Sequence, residues 1–221
     1  MFTGLIQEVG TVVDWTSPVR LKISCYKTLD QVELGDSIAV NGVCLTVVDF
    51  NKTQNTCEFD VSHETQSRWN QKAVQSGRLI NLEKSLRVGD KIGGHFVLGH
   101  VDCIARIHLF EKQGDFWLLK LDIPSPQLPY IIPKGSLAID GISLTINDFS
   151  DNLVDFMIVP HTWEQTNLKE RQVDDYVNIE ADVLGKYVSR QLHLDSRDSG
   201  TSNGVNMQSL MNAGFVKDVG N

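Results

Sequence analysis

Ser37-Ile38-Ala39-Val40-Asn41-Gly42-Val43-Cys44-Leu45-Thr46-Val47 returns without a gap as Ser136-Leu137-Ala138-Ile139-Asp140-Gly141-Ile142-Ser143-Leu144-Thr145-Ile146. The two stretches stand 99 positions apart (136 − 37). Other pairs follow in the same order. Asn81-Leu82-Glu83 returns as Asn178-Ile179-Glu180, and Thr3-Gly4-Leu5-Ile6 lines up with Leu98-Gly99-His100-Val101. The offset drifts by only a few residues, as loop insertions would produce. A shared alphabet of Val, Ile and Gly accounts for one such match, not for three in order. The chain therefore reads as one unit written twice. The first copy is placed at residues 1–94 and the second at 95–182, and residues 183–221 have no counterpart.

The repeat also dictates the kind of unit. Ser37 to Val40, Cys44 to Phe50, Thr56 to Val61 and Arg78 to Leu82 are rich in β-branched or aromatic residues. Asn41-Gly42 and Leu34-Gly35-Asp36 punctuate them as turns. About six such strands per copy predict an all-β fold with a C-terminal helix: two tandem six-stranded antiparallel barrels, Greek-key-like and related by duplication, with no open edge. Glu64 to Gln71 and Thr162 to Lys169 read as short helices. Val183, Leu184, Tyr187, Val188 and Leu192 fall on one face of a helix running to about Leu194. The tail from Asp195 is rich in Ser, Gly and Asn.

Composition narrows the function. The 221 residues are 41% hydrophobic and 22% charged, ordinary for a soluble globular protein with two domains. No apolar run approaches the roughly 20 residues of a membrane span. Met1-Phe2-Thr3-Gly4 lacks the basic start of a signal peptide, so the expected location is the cytoplasm. A net charge of −8 with no basic stripe argues against nucleic acid. Cys25, Cys44, Cys57 and Cys103 show neither C-x-x-C nor Cys/His ligand spacing, so they read as reduced thiols and no metal site is expected.

Four motifs carry a family resemblance: Met1-Phe2-Thr3-Gly4-Leu5-Ile6, Asn41 to Val47, Gly93-Gly94-His95-Phe96-Val97-Leu98-Gly99-His100-Val101-Asp102, and Lys134-Gly135-Ser136 to Thr145. In them the chain resembles the riboflavin synthases of the trimeric bacterial type, a lumazine-binding tandem-barrel family. The likeness runs to about Leu194. It implies one 6,7-dimethyl-8-ribityllumazine per barrel, and dismutation of two such molecules to riboflavin and 5-amino-6-(D-ribitylamino)uracil by transfer of a four-carbon unit. It implies a transferase without an external cofactor, a homotrimer, and lumazine synthase as a partner.

Carried over residue by residue, the resemblance implies His100, Ser143, Cys44, Lys134 and Asp182 as catalytic positions. It implies substrate contacts at Gly4, Leu5 and Ile6; at Cys44, Leu45 and Thr46; at Asp60, Val61, Ser62, His63, Glu64 and Thr65; at Gly99, His100 and Val101; at Lys134; at Ser143, Leu144 and Thr145; and at Ile158, Val159, Pro160, His161, Thr162 and Trp163. One departure stands out: where the family has a Leu and then Thr-x-Leu after Glu64-Thr65, this chain has Gln66-Ser67-Arg68-Trp69-Asn70, while the second copy keeps Thr166-Asn167-Leu168.

The residue types suit that chemistry. A flat heterocycle with a polyol tail needs an apolar slot with a few placed polar groups. Strand alternation puts Cys44 and Thr46 on one face, Ser143 and Thr145 on one face, and the leucines between them on the other. The reaction needs a carbanion at the ring's C7 methyl, for which histidine is a natural base. His100 occupies the position where the first copy has Leu5, so the copies differ chemically there. The other ring is attacked at C7 by water, a hydroxyl or a thiol, with Ser143 and Cys44 at equivalent positions. Lys134 is placed to neutralise charge moving into the pyrimidinedione. Each has a bland counterpart: a strand-forming Thr, a turn histidine (the reading favoured for His95), a surface lysine, a structural Asp182.

Three rival readings remain. A non-catalytic lumazine- or flavin-binding antenna protein keeps one pocket, whereas both copies of Gly-x-(Cys/Ser)-Leu-Thr stand here. A flavin reductase barrel requires a phosphate-binding Gly-rich loop that the sequence lacks. A plain structural barrel leaves the duplicated polar motifs unexplained.

Overall fold

The computed structural model describes residues 1–17 and 19–198, so the tail beyond 198 lies outside the described residues. The first half holds strands β1 (Glu8–Ser17), β2 (Arg20–Ser24), β3 (Ser37–Val40), β4 (Val43–Asn51), β5 (Thr56–Asp60) and β6 (Leu79–Lys84). The second holds β7 (Cys103–Gln113), β8 (Phe116–Asp122), β9 (Ser136–Ile139), β10 (Ile142–Ser150), β11 (Leu153–Ile158) and β12 (Tyr176–Ala181). Each set closes into an antiparallel barrel in the order β1-β2-β5-β4-β3-β6, repeated as β7-β8-β11-β10-β9-β12. Even the register break recurs, after Val47 on β4 and after Ile146 on β10.

Alternation fills the barrels. Val43, Leu45 and Val47 of β4 point into the first core with Leu21, Ile23, Phe59, Ile80 and Leu82. Ile142, Leu144 and Ile146 of β10 do the same beside Leu119, Leu121, Phe156 and Ile179. Short helices α1 (His63–Arg68) and α2 (Pro160–Gln165) follow β5 and β11, each continued by a 3₁₀ turn. Ser62 caps α1 by accepting the Thr65 N–H. Helix α3 runs Val183–Asp198, four residues past the expected end. Its Leu184, Tyr187, Val188 and Leu192 are exposed in the single chain.

Met1–Gly185 form one compact unit, because the two barrels share a pseudo-twofold seam. The hairpins β3–β4 and β9–β10 turn on Asn41-Gly42 and Asp140-Gly141, all four residues with positive φ, the primed turn that the Asn-Gly signal predicts. A Cβ on Gly42 would lie 2.7 Å from the Gly141 nitrogen, and the reverse also holds, so only glycine lets the turns meet. Around them Asn81 Nδ2 donates to the Asp140 carbonyl (3.0 Å) and Asn178 Nδ2 to the Asn41 carbonyl (2.8 Å).

The seam is not fully symmetric. The second copy has Asp140 where the first has Asn41, and Arg171 where the first has Val74. Arg171 Nη2 meets Asp140 Oδ2 at 2.6 Å, both side chains almost wholly buried. A buried pair gives little net stability, but breaking it strands a charge. Arg171→Val is therefore expected to cost about 3 kcal/mol in denaturant unfolding. Adding Asp140→Asn recreates the first copy's pairing and should return most of that loss; additive costs would contradict this account of the seam.

Candidate functional site

Strand alternation turns Cys44 and Thr46 outward from the first barrel and Ser143 and Thr145 outward from the second. The leucines between them are core residues. Leu45 and Leu144, like Val61 and Ile158, therefore offer a ligand backbone only.

What covers these outward faces was not legible in the repeat. The Cys44 N–H donates to the Gly99 carbonyl (2.8 Å), and the Ser143 N–H to the Gly4 carbonyl (2.8 Å). Each barrel's site is thus completed by the segment that sequence alignment assigns to the other copy. Side chains follow: Val101 packs in the first core and Ile6 against the second. A Cβ on Gly99 would fall 2.5 Å from the Cys44 Cβ, and one on Gly4 would fall 2.6 Å from that of Ser143. With φ of +81° and +75°, both places demand glycine.

Two buried glutamates hold the crossing segments, and sequence reasoning gave them no role. Glu83, at the end of β6, accepts the N–H groups of Thr3 (2.8 Å) and Gly4 (3.0 Å) and the Thr3 hydroxyl (2.9 Å). Burial pushes its carboxyl up from the usual range, and these donors pull it back. Glu180, at the same place on β12, accepts from Leu98 (2.7 Å), Gly99 (2.9 Å) and His100 (3.0 Å). The only visible signal was their recurrence after Asn81 and Asn178.

Beside Cys44 lies a cleft of about 500 Å³, lined by Val43, Cys44, Glu64, Thr65, Arg68, Trp69, Gly99, His100, Val101 and Asp102. That volume suits one small heterocycle. The structure thus brings together six of the expected residues: Cys44, Glu64, Thr65, Gly99, His100 and Val101. His100 belongs to the first barrel's cleft, whereas the repeat had set it against Leu5. Arg68 and Trp69, within the stretch Gln66 to Asn70 that departs from the resembled family, line the same cleft, and Glu64 lies 3.7 Å from Arg68. Asp60 does not line the cleft and pairs with Arg20 (2.8 Å). The Ser62 hydroxyl shares a 2.9 Å hydrogen bond with that of Thr65, and His63 opens α1 beside it. Cys44 is half-buried there. Cys25 and Cys57 sit in the core, where burial raises both thiols, Cys57 to about 12, and leaves them inert.

The second site gathers Gly4, Gly94 and Ser143. Gly94 approaches so closely that a Cβ would lie 2.8 Å from the Ser143 Oγ, and the next residue, His95, places Nδ1 2.7 Å from that oxygen. Leu5 is exposed, and its side chain covers Gly93. Val159 and Pro160 start α2, and Trp163 stacks on Trp117 at 4.4 Å between centroids. The Thr162 carbonyl accepts the Thr166 hydroxyl (2.7 Å), and His161 lies exposed in the first turn of α2. Asp182 caps α3 by accepting the Leu184 N–H (2.9 Å).

Lys134 adopts φ +64°, while its counterpart Gly35 has φ +91°. A non-glycine residue in that region costs of order 1 kcal/mol. Its Nζ donates to the carbonyl and side chain of Asn147, at the register break of β10.

Comparison with known proteins bears on this arrangement. A model of the lumazine binding domain matches twice, over residues 3–85 and 98–182. The riboflavin synthase of Bacillus subtilis is 42% identical over 198 residues, covering 87% of this chain and 90% of its own length. That of Brucella abortus is 43% identical over 202 residues, covering 86% and 97%, and that of Actinobacillus pleuropneumoniae is 38% identical over 218 residues, covering 97% and 100%. Among solved structures, LumP in complex with riboflavin superimposes with a TM-score of 0.76 at 24% identity, over 82% of this chain and 99% of that one, a likeness of fold.

Proposed function

The chain belongs to the lumazine-binding family of riboflavin synthases, and we infer from that membership and the doubled site that it makes riboflavin by dismutation of two 6,7-dimethyl-8-ribityllumazine molecules. One molecule gives up a four-carbon unit and the other takes it, leaving 5-amino-6-(D-ribitylamino)uracil. The observation that carries the reading is the pair of equivalent sites, each built on an outward Cys44 or Ser143 with a threonine two residues on. An antenna protein has no use for the second site. Incubating the protein with the lumazine alone and following riboflavin absorbance tests the reading; bound fluorescence without product would favour the antenna.

We propose the following parts. Glu180 fixes the backbone at His100, which presents the imidazole at the cleft of the first barrel. There it is placed to take a proton from the C7 methyl of the bound ring, whose anion is delocalised over the heterocycle. Lys134 and the outward Ser143 and Thr145 are the residues proposed to serve the second ring. Holding both rings removes the entropic cost of their encounter, worth several kcal/mol. We propose that the encounter occurs between chains of a homotrimer in the cytoplasm, with the exposed apolar stripe of α3 as the contact, and that lumazine synthase is the partner supplying substrate. Sedimentation reads the trimer directly.

His100→Gln is expected to lower turnover at least a hundredfold while lumazine affinity changes less than about threefold, the range set by loss of a general base. Turnover within threefold of the parent would remove His100 from the mechanism.

A further inference from the structure

Of the buried polar side chains not yet given a task, His95 has the most informative surroundings. The segment Gly93-Gly94-His95 presses against β10 so closely that Gly94 has no room for a side chain: a Cβ would meet the Thr3 carbonyl at 2.1 Å and the Ser143 Cβ at 2.7 Å. The approach delivers the imidazole to the Ser143 hydroxyl, with Nδ1 to Oγ at 2.7 Å. His95 is 8% exposed, and its Nε2 is buried without a hydrogen-bond partner. Sequence reading left it as a turn residue, yet its side chain reaches across 48 positions to the outward Ser143 hydroxyl of the second site.

We propose that His95 is a positioning residue for the second site, accepting the Ser143 O–H on Nδ1 and so turning the lone pairs of Oγ toward the bound ring. The proposal rests on the lumazine reading of that site. A free serine hydroxyl samples three rotamers and shares its proton with water. One tied to a buried imidazole presents a fixed acceptor, a preorganised dipole at the ring edge where charge changes during reaction. The accepting role needs a neutral ring. Burial provides it by holding His95 below its ordinary pKa, with the Asp182 carboxylate opposing more weakly. Cys44, the repeat partner of Ser143, has no imidazole hydrogen-bonded to it among the described residues, and with its weakly donating thiol it lines the same cleft as His100. The two sites are therefore chemically unlike by construction: an oriented oxygen acceptor in the second, a thiol with an exposed imidazole in the first.

The test is a set of variants of the full chain, assayed for riboflavin formation and lumazine affinity. His95→Leu should lower kcat at least tenfold and change KM less than about twofold, the size expected from losing one preorganised polar contact. His95→Asn keeps an acceptor close to the Nδ1 position and should recover most of the loss. In a Ser143→Ala background, which should itself show the kcat defect, His95→Leu should change kcat less than twofold, because the hydroxyl it acts on is gone. Equal losses in both backgrounds, no rescue by asparagine, or a rise in KM at unchanged kcat would overturn the proposal and leave His95 a packing residue. If the parent protein makes no riboflavin, the functional reading fails. The proposal then stands or falls on the imidazole nitrogen resonances of His95, which should show Nδ1 as an acceptor in the parent and lose that signature in Ser143→Ala.

Discussion

Glu180→Gln is expected to empty the site beside Cys44, in the other barrel, while the site beside Ser143 keeps its ligand. Glu180 belongs to β12 of the second barrel, yet the three N–H groups it accepts belong to Leu98, Gly99 and His100, which cover the first barrel's cleft. An amide keeps one acceptor oxygen and turns an NH₂ group against the remaining N–H donors. Those buried donors lose charge-assisted bonds, at a cost of about 3 kcal/mol. The segment then no longer holds the Gly99 carbonyl against Cys44 or His100 at the cleft. Fluorescence titration should count one lumazine per chain instead of two, and turnover should fall at least a hundredfold, since neither ring reacts alone. Glu83→Gln should produce the mirror result, sparing the cleft at Cys44. Loss of the ligand from the mutated residue's own barrel would mean that the crossing segments do not set these sites.

Phe2→Ala should have the largest effect on stability. The Phe2 ring is wholly buried between the barrels, against Ala39, Ala138 and Val97. Ala39 and Ala138 are repeat partners, small enough to leave one shared hole that a single aromatic ring fills. Around it the backbone of Phe2 exchanges hydrogen bonds with Val97 (2.7 and 3.1 Å). Removing a ring from such a place costs about 4 kcal/mol, through lost transfer energy and a cavity that backbone on both sides keeps open. For a chain of this size the thermal midpoint should drop by about 10 °C. Activity should fall further than stability explains, because Gly4 lies two residues away and carries the carbonyl that Ser143 uses. A midpoint within 3 °C of the parent would show that the hole collapses and that the ring is not the pin between the barrels.

Much of the architecture could be read without coordinates, and the reason is local. Asn41-Gly42 and Asp140-Gly141 encode turns through the φ that those residues tolerate, and alternation through Val43-Cys44-Leu45-Thr46 states which side chains face the core. Strand count, turn type and the outward Cys44 and Ser143 all follow from interactions within about ten residues. What stayed hidden is long-range. The match of Gly4 with Gly99 is true as ancestry, but it says nothing about which barrel each glycine serves, since both alternatives preserve the same residues. Glu83 and Glu180 stood out only as repeated letters because their partners are backbone N–H groups, which leave no trace in side-chain identity. His95 looked like a turn residue for the same reason, its partner lying 48 positions away. Lys134 was found through its motif. Its real oddity, a lysine where Gly35 shows glycine to be the easy choice, becomes visible only as a backbone angle.

The crossed segments also bear on how the molecule comes into being. Residues 2–4 leave the ribosome long before residue 143, the partner of the Gly4 carbonyl, has been made. The first barrel can close its six strands early, but its own opening strip has nowhere to dock, and its cleft waits for residues 98–101. Translation therefore produces a half-finished intermediate with an unsatisfied edge and an aromatic residue in water, a form exposed to misassembly until the second barrel arrives. Once both are present, neither can open without releasing the other's strip, so the halves should melt together in one transition despite having separate cores. A duplication that began as two copies of one part has left two parts that are finished only at the same moment.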